Sequence, residues 1–198
     1  MKPTDIAQPD YFHKVVDCQW ACPAHTPVPE YIRLIAQGRY DDAYLVNWKS
    51  NVFPGILGRT CDRPCEPACR RVRVEEGSPE HRKAHAKPEA VAICRLKRAA
   101  ADYKGDIRPH LPKPAAKGNG KRVALVGAGP ASLTVARDLA PHGYQCVVFD
   151  GDPKAGGMMR TQIPKFRLPD RVIDEECGYV LDLGVEFRAG TRVDSMAA

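Results

Sequence analysis

The chain has 198 residues, with 30 Lys and Arg against 24 Asp and Glu, a formal charge of +6 and 43% apolar residues. That composition fits a soluble protein of one or two domains and excludes a disordered tail. No apolar run approaches the roughly 20 residues of a membrane span. The N-terminal MKPTDIAQPDYFHK has no apolar leader core, so a cytoplasmic location is expected.

Eight cysteines without an export signal read as metal ligands rather than disulfides. Charge is uneven: residues 59–122 hold 17 basic and 8 acidic residues, a net +9, which leaves about −3 for the remainder. A basic middle segment suits an acidic partner protein or a solvated surface. It lacks the interleaved aromatics that stacking on nucleic acid needs, so no nucleic-acid partner is expected.

The elements follow in chain order. Pro27 to Gly38 predicts a short amphipathic helix through Tyr31, Ile32, Leu34 and Ile35. Asp41 and Asp42 open a second helix through Tyr44, Leu45 and Trp48. Asn51 to Arg73, rich in Gly, Pro and Cys, reads as a loop wrapped around something. Val74 to Lys87 reads as an exposed excursion, and Glu89 to Tyr103 as a helix with Val91, Cys94, Leu96 and Ala99 among its inward candidates. Residues 113–120 form a Pro-, Gly- and Asn-rich linker between a helical domain (1–112) and an α/β domain (121–198). In the latter, Arg122–Val126 reads as a buried strand and Ala131–His142 as a helix. Gln145–Phe149 is a second strand, Pro169–Leu183 a capped helix stopped by Gly184, and Val185–Phe187 a third strand. This order predicts a parallel sheet.

Between the first strand and its helix lies Gly127-Ala128-Gly129-Pro130-Ala131-Ser132, a dinucleotide fingerprint with Ser in the third glycine position. Gly127 permits the turn, Gly129 lets a pyrophosphate approach the backbone, and the helix N-terminus offers N–H groups and partial positive charge. Ser132 is small enough to keep helix and strand close. Asp150, at the end of the second strand, is placed to accept hydrogen bonds from ribose hydroxyls, and its charge argues against a 2′-phosphate. Gly156-Gly157-Met158 brings backbone near the ligand a second time. Arg167 is a surface residue or a cation for a phosphate.

The remaining motif is sulfur. Cys18-x3-Cys22, Cys61-x3-Cys65-x3-Cys69 and Cys94 supply six thiols among stiffening prolines. That is enough for one four-thiolate cluster and too few for two. Iron–sulfur and zinc both accept such ligands. Cys146 and Cys177 sit among apolar neighbours and read as core thiols.

Cys22-Pro-Ala-His-Thr-Pro-Val-Pro-Glu-Tyr-Ile, Gly58-Arg59-Thr-Cys61-Asp-Arg-Pro-Cys65-Glu-Pro-Ala-Cys69, the glycine fingerprint, and Gly156-Gly157 with Ile163-Pro-Lys-Phe-Arg167-Leu-Pro carry a family resemblance. The chain resembles the small subunit of glutamate synthase and, equally, the N-terminal half of dihydropyrimidine dehydrogenase. The resemblance implies an α-helical [4Fe–4S] domain followed by an incomplete, Rossmann-like FAD-binding domain of an oxidoreductase. It implies FAD contacts at Gly127 to Ala131, from Asp150 to Met158, at Arg167 and at Val193. It further implies an NAD(P)H domain beyond this sequence, so that the chain is a fragment or a truncated subunit. The activity it implies is electron transfer between FAD and a cluster and onward to a partner subunit or a ferredoxin. Two departures bear on the clusters. An expected cysteine pair before Cys18 is replaced by Asp10 and His13, which leaves one cluster only Cys18 and Cys69 as thiolates: either that cluster is lost, or His13 and Asp10 substitute, or a partner chain contributes. Cys22, Cys61 and Cys65 keep the other, whose fourth ligand aligns with Lys97. A Lys ammonium is no ligand for iron, and Cys94, one turn earlier, is the expected replacement. The alternative reading is a zinc-stapled nucleotide-binding module without redox activity.

Overall fold

The computed structural model describes residues 16–73 and 89–195. The predicted excursion from Val74 to Lys87, and Asp10 and His13, lie outside the described residues. The chain divides into two compact units, one ending at Gly105 and one beginning at Asp106.

The first unit is helical: α1 (Asp17–Ala21), α2 (Val28–Ala36), α3 (Tyr40–Asn51), α4 (Pro54–Thr60), α5 (Arg70–Arg73) and α6 (Ile93–Tyr103). Prolines in the first turns of α2 and α4 cost no hydrogen bond there, and Gly38, at φ +73°, ends the turn after α2. The apolar face of α2 (Val28, Tyr31, Leu34) packs with Ala43, Cys65, Ile93 and Ala100 into one core. Its amphipathic period buries these residues and leaves the charged face to water.

The segment 51–73, expected to be a loop, contains α4 and the single turn α5. Its glycines misled the reading because one of them serves packing. A Cβ on Gly58 would stand 2.7 Å from the Arg98 backbone, so α4 and α6 cross at a distance that only glycine allows. Beside this crossing the Arg59 guanidinium, 2% exposed, bonds Asp102 at 2.5 Å and the Gly55 carbonyl at 2.9 Å. Val52, also buried, turns the chain between α3 and α4 at φ +61°, an uncommon conformation for a β-branched residue. The last helix of the unit begins at Ile93 rather than Glu89.

The second unit holds a 3-10 turn (Arg108–His110), β1 (Arg122–Val126), α7 (Pro130–Leu139), a second 3-10 turn (Ala140–His142), β2 (Gln145–Phe149), α8 (Met158–Thr161), α9 (Asp170–Leu181) and β3 (Glu186–Arg188). The sheet is parallel in the order β1-β2-β3, with Val123 beside Cys146 and Val148 beside Phe187. The right-handed crossover rule for parallel strands accounts for the helices between them. β2, in the middle, buries Cys146, Val147 and Val148. The strand β1 is not the buried strand expected: Arg122, Ala124 and Val126 are exposed and alternate with the half-buried Val123 and Leu125, so one of its faces is not covered by the described residues. The third helix ends at Leu181, two residues short of the expected Leu183, and Gly184 turns the chain at φ +86° into β3.

Gly58→Ala is expected to lower unfolding stability by about 1–3 kcal/mol through overpacking at backbone atoms. Urea unfolding of the full chain measures it, and wild-type stability would rule out so close a crossing.

Candidate functional site

In the helical unit the six sequence-predicted thiols come from α1, the turn after it, the segment following α4 and the start of α6. They fall into two groups. Asp17 accepts a 3.0 Å ion-paired hydrogen bond from Arg70, which draws the start of α1 to the start of α5. The neighbouring Cys18 and Cys69 thereby stand close enough to feel one another's charge. Burial first, and then Cys69, push the Cys18 thiol up.

The second group is Cys22, Cys61, Cys65 and Cys94. The crossing of α4 and α6 puts Cys61 and Cys94 in side-chain hydrogen-bond contact. That bond, helped by the Arg63 N–H at 3.3 Å, holds Cys61 far below the usual thiol range. Cys94, its partner in the bond and itself buried, is pushed far above that range, and its Sγ also lies 3.3 Å from the Leu57 carbonyl. Burial raises Cys65 to about 11 against the opposing charge of Lys97, while Cys22 and Cys61 add to the rise. Tyr31, wholly buried, donates to the Ile93 carbonyl at 3.0 Å. It is pushed well above the usual phenol range by burial and by the charges of Cys65, Cys94, Cys18 and Cys22, so it sits within reach of both groups.

Several positioning residues carry no sequence signal. The Glu66 carboxylate accepts from the Cys94 backbone N–H at 3.0 Å and ties the Cys65 segment to the first turn of α6. Thr26, fully buried, accepts from Ser50 (3.2 Å) and Asn51 (3.2 Å) and lies 3.5 Å from the Cys22 Sγ, which anchors the Cys22 turn on α3. Gln19 and His25 brace that turn from α1 through a 3.1 Å bond from the Gln19 amide to the His25 carbonyl. Polar residues of these types read as surface in a sequence, and their roles arise only when distant segments meet.

Lys97 is 6% exposed, on the same face of α6 as Cys94. Its positive charge acts on Cys61, Cys65 and Cys94. No carboxylate among the described residues pairs with it. A buried ammonium beside soft thiol donors fits a group that is both thiophilic and anionic, and an iron–sulfur cluster is both. Among the described residues no three or more His, Cys, Asp or Glu side chains converge on a single-ion site. The thiolates around a cubane stand farther apart than those around one ion.

In the second unit the glycine segment turns from β1 into α7 and leaves an open space before the helix. Gly127, at φ +87°, donates to the Phe149 carbonyl at 2.8 Å. A Cβ on Gly127 or Gly129 would meet nothing within 4 Å, so the space before the first turn of α7 is open. Pro130 occupies the first turn, and the N–H groups of the residues after it are free of intrahelical partners in that turn. Ser132 Oγ reaches the Val126 carbonyl at 3.4 Å. Gly156 donates to the Ala128 carbonyl at 2.8 Å, and a Cβ on Gly157 would stand 2.9 Å from Gly129 Cα, so the second glycine pair lies directly on the first. Arg160 bonds the Ala155 carbonyl, Asp170 (3.1 Å) and Asp174 (2.6 Å), pinning this layer to α9.

Asp150 accepts from the backbone N–H of Ala128 at 2.5 Å and of Asp152 at 2.8 Å. It braces the loop, a role beyond the ribose contact expected from sequence. Met158 and Arg167 are exposed and Val193 is half-buried. Cys146 and Cys177 are buried, as expected of core thiols.

A thiol-lined helical unit followed by a parallel α/β unit with a phosphate cradle is the layout of an iron–sulfur protein joined to a nucleotide-binding domain. Residues 11–108 match the family model described as dihydropyrimidine dehydrogenase domain II, 4Fe-4S cluster, and residues 125–193 match the NAD(P)-binding Rossmann-like domain. The chain is 36% identical over 197 residues to the NADP(+)-dependent formate dehydrogenase subunit beta of Moorella thermoacetica, covering 89% of this chain and 26% of that protein. It is 34% identical over 200 residues to the NADPH-Fe(3+) oxidoreductase subunit beta of Geobacter sulfurreducens, covering 96% of this chain and 27% of the relative. It is 33% identical over 178 residues to the glutamate synthase [NADPH] small chain of Escherichia coli, covering 89% and 35%. Residues 11–108 belong to the family of dihydropyrimidine dehydrogenase domain II, and over most of its length the chain is similar to glutamate synthase small chains. It spans about a quarter to a third of the length of these relatives.

Gly129→Ala places a methyl in the open cradle. Folding stability is expected to stay within about 1 kcal/mol of wild type, while affinity for a dinucleotide probe (FAD and NADPH each titrated calorimetrically) falls at least about tenfold, since backbone approach to the pyrophosphate is blocked. Unchanged affinity for both probes would remove the cradle from the binding site.

Proposed function

We propose that this chain is the iron–sulfur and flavin portion of an NAD(P)H-dependent oxidoreductase, passing electrons between FAD and a [4Fe–4S] cluster and on to a partner subunit. The observation that carries the reading is the gathering of Cys61, Cys65 and Cys94 beside a buried cation, with Cys22 near Cys65, in a chain whose relatives are named as NADPH-linked oxidoreductases.

Cys22, Cys61, Cys65 and Cys94 would hold the cluster. Cys18 and Cys69 supply two further thiolates for a second centre. The glycines and helix start from Gly127 to Ser132 would receive the FAD pyrophosphate, with Asp150 toward the ribose, Gly156, Gly157 and Met158 closing over it, Arg167 near a phosphate and Val193 near the adenine. When bound, the flavin converts between two-electron and one-electron chemistry and the cluster carries single electrons. The protein's own work is to bring Cys61 and Cys94 together at the crossing of α4 and α6, to favour the ionised form of Cys61, and to leave the cradle free of side chains. No side-chain acid, base or nucleophile is required of it.

The partner is an electron-accepting subunit or a ferredoxin, for which the basic stretch of residues 59–122 offers charge complementarity. Two of the relatives are themselves named as beta subunits. No helix among the described residues is long and apolar enough to cross a membrane.

Protein purified anaerobically is expected to contain iron and sulfide in equal amounts and to release FAD on denaturation, and stoichiometric zinc without iron would replace this reading with the zinc-stapled one. Cys94→Ala is expected to lose most of the iron bound by the Cys22 group. A full complement in that variant would show that Cys94 is not a ligand.

A further inference from the structure

We propose that Lys97 is the fixed counter-charge of the cluster held by Cys22, Cys61, Cys65 and Cys94, setting its reduction potential without ligating it. The inference rests on the cluster assignment above and adds a residue that no ligand set contains.

The argument begins with placement. On α6, Ile93, Cys94, Lys97 and Ala100 share the buried face, so the Lys97 stem follows Cys94 into the interior by one helical turn. On the solvent side of the helix Arg98 bonds Asp102 at 3.1 Å, and Arg59 from α4 bonds the same Asp102. Lys97 alone on this helix is a buried charge, and no carboxylate among the described residues answers it. Its neighbours are the three thiols Cys61, Cys65 and Cys94. Glu66, the nearby acid, spends its carboxylate on the Cys94 backbone N–H and on Arg63 (3.7 Å).

Burying an ammonium without an anion is unfavourable, and an interior that keeps one is arranged for an anion that arrives later. A four-thiolate [4Fe–4S] centre is a dianion when oxidised and a trianion after it takes one electron from a reductant. A fixed positive charge at short range favours both forms, and the trianion more. Its effect on the equilibrium is therefore to raise the potential, in a low-dielectric setting where such charges act strongly. A Lys at this position retains the charge and adds N–H donors toward cluster sulfur, and both push in the same direction.

The test is a potentiometric titration with dithionite, followed by low-temperature EPR, on the reconstituted full chain. The signal followed is the one that Cys94→Ala abolishes. Lys97→Met and Lys97→Leu are expected to lower the midpoint by at least about 59 mV, a tenfold change in a one-electron equilibrium, while Lys97→Arg stays within that margin of wild type. Midpoints that coincide in wild type and Lys97→Met overturn the proposal while leaving the cluster assignment intact. If Lys97→Met takes up no cluster, the midpoint of Lys97→Leu is read in its place. If both neutral variants lose it, iron and sulfide content decides: retention by Lys97→Arg alone supports the counter-charge, and loss in all three overturns it in favour of a packing role. Wild-type protein that binds no iron overturns the cluster assignment and this inference with it.

Discussion

The close approach of α4 to α6 at Gly58 is the constraint on which the thiol group depends. Two helices normally keep their backbones apart by the width of their side chains. Here a residue without a side chain meets the Arg98 backbone, and the Arg59–Asp102 ion pair closes over the contact. That approach brings Cys61, just past the end of one helix, to Cys94, in the first turn of the other. Their shared hydrogen bond couples the two groups, drawing Cys61 down and pushing Cys94 up from the usual thiol range.

The two candidate sites are built by opposite means. In the α/β unit the cradle exists because side chains are missing: Gly127 and Gly129 face open space, Gly157 lies against Gly129, and Asp150 ties the loop down from behind. In the helical unit the site exists because side chains from separate segments are drawn together, with Thr26, Glu66 and Tyr31 acting as struts. The first kind is local in the chain and the second is tertiary.

That difference explains what the sequence disclosed. Strand, glycine turn, helix and second strand follow one another within thirty or so residues, and their periods and punctuation are local signals, so β1, α7 and β2 are legible along with the glycine turn between β1 and α7. The burial of β1 was misjudged because an apolar run cannot report which faces of a strand are covered. The helix α4 was hidden by Pro54, Gly55 and Gly58, residues that read as loop but serve here as a helix start and a contact point. Cysteine spacing announced a thiol site, yet the grouping of Cys18 with Cys69 and of Cys61 with Cys94 depends on contacts spanning dozens of residues. Lys97 was recognised only as a residue unable to ligate, since its burial belongs to the packed helix and not to the sequence.

The bond from the Cys94 N–H to Glu66, the bond from Tyr31 to the Ile93 carbonyl and the Arg59–Asp102 pair are all made between protein groups. Each of them draws together segments that lie far apart in the chain, so the distances between the thiols are set by bonds at their flanks.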